Sequence, residues 1–376
     1  MYSDREILYF LQTIPGFGSR TIRCLWNHFQ TGMGVFEAGE EALKMLLKPS
    51  QLRAFLRERE KQTPTERIRE LQKQGIGYYS IFDWQYPKRL RMVADAPLAL
   101  FVKGKLPSEQ EMTASVIGAR YHSCYGERNA REYAAFLAEN GVSVVSGMAK
   151  GIDSIAQLSA IENGGTSYAV LGCGVDVCYP KESRRLYDML PEHGGIISEY
   201  APGTVPQAGL FPQRNRIISA LGDILLVMEA KEKSGTLITV DMALEQGREV
   251  YAVPGRGTDA LSKGCNQLIR DGAGILFDVE EFITEIQKSY VNYEGGAGIK
   301  NGIMEQKLFA SLNQLEQKIL EIIDFYPKTL QKIYDELIDN VKYREEIELN
   351  KLMYTLLKLE KMGMIQTKGD NYLLKS

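Results

Sequence analysis

The sequence predicts an α/β fold: an open, doubly wound parallel sheet, with a helical domain before it and a winged helix after it. Three observations carry this reading. Six short runs, 114–117, 142–145, 167–171, 196–198, 224–227 and 250–253, are almost continuously apolar, as strands covered on both faces must be. Helical patterns such as 127–140 and 239–246 lie between several of them, which is the alternation of a parallel βα array. On either side of this region the apolar spacing is helical.

The elements follow in chain order. Residues 1–62 read as a helical domain. Apolar Ile7 to Leu11 precede Ile14-Pro15-Gly16-Phe17-Gly18, and helical spacing resumes at Thr21. Helix, Pro-Gly-x-Gly turn, helix is a helix-hairpin-helix (SAM-like) layout. Such a turn can offer backbone amides to a phosphate; its commoner use is to turn a corner between two helices. Residues 43–59 predict one further helix. The sheet domain spans 75–288, and Gly295-Gly296-Ala297-Gly298 marks a flexible linker over 289–312. Helical spacing at 315–325, 330–338 and 348–362 leads to strands 365–368 and 371–374 around Gly369-Asp370. Three helices and a two-stranded wing predict a winged helix over 313–376.

Composition excludes several classes. The 376 residues are 44% hydrophobic and 25% charged with a net charge of -3, ordinary values for a soluble globular protein. A polyelectrolyte binder that is basic all round does not fit, so any phosphate site must be a confined pocket. Five scattered cysteines, with no Cys-x-x-Cys pair, and three distant histidines predict no metal site and a reducing cytoplasm. No apolar stretch is long enough to predict a membrane span.

The candidate chemistry lies in loops that follow the strands, where ligands of open α/β sheets bind. Gly118-Ala119-Arg120 follows the first strong strand, and Ser146-Gly147-Met148-Ala149-Lys150-Gly151 the second. Gly172-Cys173-Gly174, continuing to Tyr179-Pro180-Lys181, follows the third. Phe211-Pro212-Gln213-Arg214-Asn215-Arg216 opens the helix after the fourth. Glycines let the backbone approach an anion, and Arg and Lys supply charge. One such loop is weak support, since its cations can equally pair with surface carboxylates; several at one edge favour a phosphate-binding crevice. Glu199 and Glu229 end strands, and an acid/base pair can be drawn from them. Binding of backbone amides or local arginines is the preferred role. Gly172-x-Gly174 lacks the third glycine of a dinucleotide fingerprint, since Val177 stands there.

The ordered set GARYHSCYG, SGMAKGID, GCGVDVCYP, SEYAPG, FPQRNRIISAL, SGTLIT, GREVYAVPG and GCNQLIRDGA resembles the bacterial DNA processing protein A family, also called Smf, over residues 75–285. The resemblance implies an extended Rossmann-like fold that binds single-stranded DNA without turnover and without a cofactor. It also implies a homodimer, and loading of a RecA-type recombinase during natural transformation. Carried over by residue, its phosphate pocket falls on Gly118, Arg120, Ser146, Gly147, Lys181 and the Arg214-Asn215-Arg216 run. Arg120 and Lys181 would hold successive phosphates, Ser146 would donate to oxygens, and Asn215 would fix the loop or touch a sugar. Lys150 stands where the family usually has Arg and keeps the charge without the fork. Gln157 stands where it often has His. Tyr179 is either a stacking platform for bases or a packed aromatic.

A nucleotide-processing enzyme of the phosphoribohydrolase type is the alternative. Such enzymes carry a Pro-Gly-Gly-x-Gly-Thr loop, whereas this chain has Ser234-Gly235-Thr236 without the preceding glycine pair.

Overall fold

The computed structural model describes residues 2–291, 315–316, 318–319, 323, 328–339, 349–361, 365–368 and 371–374. The expected linker from residue 292 onward and the turn at Gly369-Asp370 lie outside them. Residues 1–300 and 301–376 are two compact units. Among the described residues no helix is long and apolar enough to cross a membrane.

The first unit is centred on a nine-stranded sheet. Its strands are β1 (Gly77–Ser80), β2 (Ala99–Gly104), β3 (Thr113–Ile117), β4 (Ser143–Ser146), β5 (Ser167–Val170), β6 (Gly194–Ser198), β7 (Ile224–Val227), β8 (Glu249–Ala252) and β9 (Gly274–Ile275). Their order is β1-β2-β6-β5-β4-β3-β7-β8-β9. From β6 to β9 neighbouring strands are parallel. β1 and β2 add an antiparallel edge. All six predicted strands are present. The chain winds outward from β3 to β6 and then returns to β7 on β3's other side. This reversal makes β3 and β7 the switch point, beyond whose carboxyl ends a crevice forms.

Alternate residues of the strands enter different layers, because successive side chains leave opposite faces. Ala114, Val116, Val144, Ile224 and Leu226 pack with α8 (Cys124–Glu139), α9 (Ile152–Glu162) and α14 (Val279–Val291). Ile117, Val145, Leu225 and Val227 pack with α11 (Leu210–Leu221), α12 (Gly235–Glu245) and α13 (Lys263–Arg270). Each such buried valine, leucine or isoleucine side chain contributes about 1.5–3 kcal/mol, so the sheet is a firm base for the loops.

The N-terminal helices are α1 (Asp4–Gln12), α2 (Ser19–Phe29), α3 (Gly32–Glu37), α4 (Glu40–Lys44), α5 (Pro49–Lys61) and α6 (Pro64–Lys73). One expectation needs correction. The segment 43–59 is two helices, because Pro49 fits the first position of a new helix and not the interior of an old one. Beyond residue 62 the chain enters a further helix, α6. There Thr63 and Glu66 cap reciprocally on either side of Pro64, the first helical residue, a strong start signal. The core of these helices is continuous with the sheet edge, through Tyr9 against Tyr78 and Phe101.

Between β1 and β2 lies α7 (Lys88–Arg91), and after β5 comes α10 (Arg184–Met189). In the second unit, α15 (Leu330–Asp339) and α16 (Leu349–Lys361) accompany a three-stranded sheet. Its strands are β10 (Lys328–Thr329), β11 (Ile365–Lys368) and β12 (Asn371–Leu374), in the order β10-β12-β11. The predicted wing pairs antiparallel, Ile365 opposite Leu374.

Candidate nucleic-acid interface

The loops at the carboxyl ends of β3, β4 and β5 are fastened to one another. Gly151 has φ +89°, and its backbone lies against the carbonyls of Ala119 and Arg120, where no Cβ would fit. Ser183, just after Lys181, sits 3.0 Å from Ser154 Oγ and donates to Met148 O at 3.5 Å. Met148 has φ 51°, an uncommon conformation for a side-chain-bearing residue. Its amide donates to Gln157 Oε1 at 2.9 Å, and Gln157 Nε2 donates to Tyr168 O at 3.0 Å and Ser167 Oγ at 3.2 Å. Gln157 is wholly buried. It anchors the β4 loop through neutral amide chemistry, which needs no imidazole.

The predicted site residues separate into a front and a back. In front, Arg120, Lys150, Tyr179 and Lys181 are exposed. Arg120 and Lys181 have no ion-pair partner among the described residues. Lys150 Nζ lies 4.7 Å above the exposed Tyr121 ring. Tyr179 leans on Phe211, ring centres 5.5 Å apart at 34°, and Phe211 fills the space that a Cβ on Gly172 would need. Asn215 is half-buried and its Oδ1 accepts from Arg214 Nε at 3.3 Å.

Behind this layer the residues are committed inward. Ser146 Oγ donates to Val116 O at 2.6 Å, and Gly118 packs under Ile152. Arg214, expected to face phosphate, is 3% exposed. It donates to Gly147 O at 2.7 Å and to Val170 O, so it bolts the ends of β4 and β5 together. A Cβ on Gly147 would meet its guanidinium. Burial draws the Arg214 pKa down, opposed by the nearby Asp153 charge. Burial pushes the Asp153 carboxyl up, opposed by Arg214 and by the Gly147 amide, 3.2 Å away. Arg216 is likewise held, with Nε 2.9 Å from Asp95 and Nη2 2.6 Å from Glu199.

The buried orientation of Arg214 had a signal in the sequence. It lies three, four and seven residues before Ile217, Ile218 and Leu221, so helical phase places it on the apolar face of α11. Asp95 had none, since its loop joins two unpredicted strands.

The two strand-end glutamates have structural partners. Glu229 is buried, accepts the Ser123 amide at 2.9 Å and also binds Ser123 Oγ, setting the residue that caps α8. Glu199 holds Arg216. Burial pushes the Cys173 thiol up to about 11, which leaves it protonated and a poor nucleophile at neutral pH. His122 Nδ1 lies 3.1 Å from Ser123 O and 3.9 Å from Glu127. The exposed cations Arg120, Lys150 and Lys181 thus project from loops that are fastened to one another.

The profile of the family described as DNA recombination-mediator protein A matches residues 77–287, from β1 into α14. The chain belongs to that family. It is similar to the DNA processing protein DprA of Streptococcus pneumoniae, 42% identical over 209 residues, covering 56% of this chain and 74% of the relative. It is 43% identical over 203 residues to the protein Smf of Escherichia coli, covering 54% of each chain, so it spans about half of that relative. Among solved structures, Streptococcus pneumoniae DprA superposes with a TM-score of 0.66 at 34% identity, over 76% of this chain and 99% of the other. DNA processing protein A of Helicobacter pylori, described for its single-stranded DNA binding mode, gives a TM-score of 0.52 at 28% identity. That match covers 57% of this chain and 97% of the other.

Proposed function

We propose that this protein binds single-stranded DNA across the strand-end loops, without chemical turnover, and presents it to a RecA-type recombinase during DNA uptake and recombination. It acts as a homodimer in the cytoplasm. The observation that carries the reading is the row of exposed cations, Arg120, Lys150 and Lys181, on three interlocked loops beside the exposed Tyr179 ring. Cations that track a phosphate backbone, next to an aromatic face that accepts any base, form the arrangement single-strand binders share. Gly118, Gly147 and Asn215 would allow close backbone approach and shape the groove. Ser146, Arg214 and Arg216 would support it from behind. The family's description as recombination mediators and the binding mode described for the Helicobacter pylori relative agree with this.

Fluorescence anisotropy with single- and double-stranded oligonucleotides at two salt concentrations tests it. Tighter binding of single strands, weakening as salt rises, is expected. Release of free base from nucleoside monophosphates, with no oligonucleotide binding, would replace this function by a phosphoribohydrolase.

A further inference from the structure

The helix α2 carries a basic face that the strand-end site does not use. Arg20, Arg23, Cys24, Asn27, His28 and Leu46 line an open cleft of about 720 Å³. That lining holds three basic side chains and no carboxylate, and α2 itself has no acidic residue. Arg20, Asn27 and His28 are exposed. Beside the cleft Trp26 stacks on Phe82, ring centres 5.0 Å apart at 25°. Two residues further on, Trp84 is 87% exposed and Phe82 itself is 48% exposed, so this segment presents aromatic faces to solvent.

This face is joined to the strand-end loops. Arg23 Nη2 donates to Ala96 O, and the adjacent Asp95 pairs with Arg216, next to Asn215. A chain of contacts therefore leads from α11, which carries Asn215, over the 95–96 turn to α2. We infer that single-stranded DNA leaving the crevice continues across α2. Arg20 and His28 meet its phosphates there, and Trp84 together with the Trp26–Phe82 pair meets its bases. The cleft lining carries no carboxylate, and the two carboxylates on the way to it, Asp95 and Asp83, are each paired with an arginine; arginines beside aromatic faces suit a single strand in any sequence. The inference rests on the function proposed above and extends the site from the sheet domain to the helical domain.

The chain contains two tryptophans, Trp26 on α2 and Trp84 two residues beyond the Phe82 ring on which Trp26 stacks, so a change in tryptophan emission reports on this part of the molecule. The full-length protein is titrated with oligothymidylates of about six and about twenty-four nucleotides, read by anisotropy and by emission. The short strand should bind without changing the emission, and the long strand should quench it. Arg20→Glu and Trp84→Ala, both at exposed positions, should each weaken the long strand about fivefold or more and leave the short strand unchanged. Long-strand binding with unaltered emission and unaltered affinity in both variants would overturn the extension while leaving the crevice intact. Failure of the wild-type protein to bind either strand would overturn the crevice, and the extension with it.

Discussion

Three arginines, all read from the sequence as anion ligands, have different duties. Arg120 faces solvent, Arg216 is clamped between Asp95 and Glu199, and Arg214 is buried on carbonyls. Their substitution should separate them. Arg214→Ala strands the buried Asp153 charge and empties the junction of β4 and β5. A loss of about 3–5 kcal/mol is expected in urea unfolding, whereas Arg120→Ala should change stability by less than about 0.5 kcal/mol. Equal stability of the two variants would mean that Arg214 is not a structural bolt. At this scale the sequence identified the cationic hexapeptide and its place beyond the strands. Which arginine turns inward is settled by helical phase and by contacts with Gly147 and Val170, residues far away in the chain.

Among the elements, the parallel strands were legible because coverage on both faces leaves a continuous apolar run. β1 was not: its burial alternates, so it has no continuous apolar run. β2 reads as apolar but pairs antiparallel with β1 and β6, outside the βα rhythm. In the helical domain, the α5–α6 corner is held by Glu58 and Arg67, 2.6 Å apart, with the guanidinium 4.7 Å from the Phe10 ring. The Arg67 hydrogen bond holds the Glu58 carboxyl below its usual value. A lowered carboxylate adds stability above its unfolded pKa, about 4.3 for glutamate, and loses it as pH falls through the folded value. Glu58→Gln should therefore melt earlier than wild type at neutral pH, and the gap should close in acid. A gap independent of pH would rule out the charge as its origin.

In the second unit, α16 buries Leu352, Leu356 and Leu359 and leaves Leu349, Met353, Tyr354 and Leu357 exposed. That exposed side is mixed, since Lys351, Lys358 and Lys361 are exposed with these apolar residues and Lys358 is paired with Glu316, so it is less one-sidedly basic than a groove-reading helix. The segment 313–376 alone should give no shift with duplex DNA at physiological salt, and a sub-micromolar complex would show a second DNA site.

For the whole molecule, the sheet domain should suffice for most binding, because the cation row lies within residues 1–300, a unit with its own cores. A chain ending at Val291 should remain soluble and keep single-strand affinity within about tenfold, roughly 1.4 kcal/mol. A larger loss would make the second unit a principal DNA contact. Single-strand binding depends first on the strand-end cations. The most direct measurement is the slope of log affinity against log salt for single-stranded DNA, compared among wild type, Arg120→Ala and Lys181→Ala. Each substitution should weaken binding and make the slope shallower by about 0.7, one phosphate contact each, while both proteins stay folded. Two folded variants with wild-type affinity and slope would contradict a strand-end site.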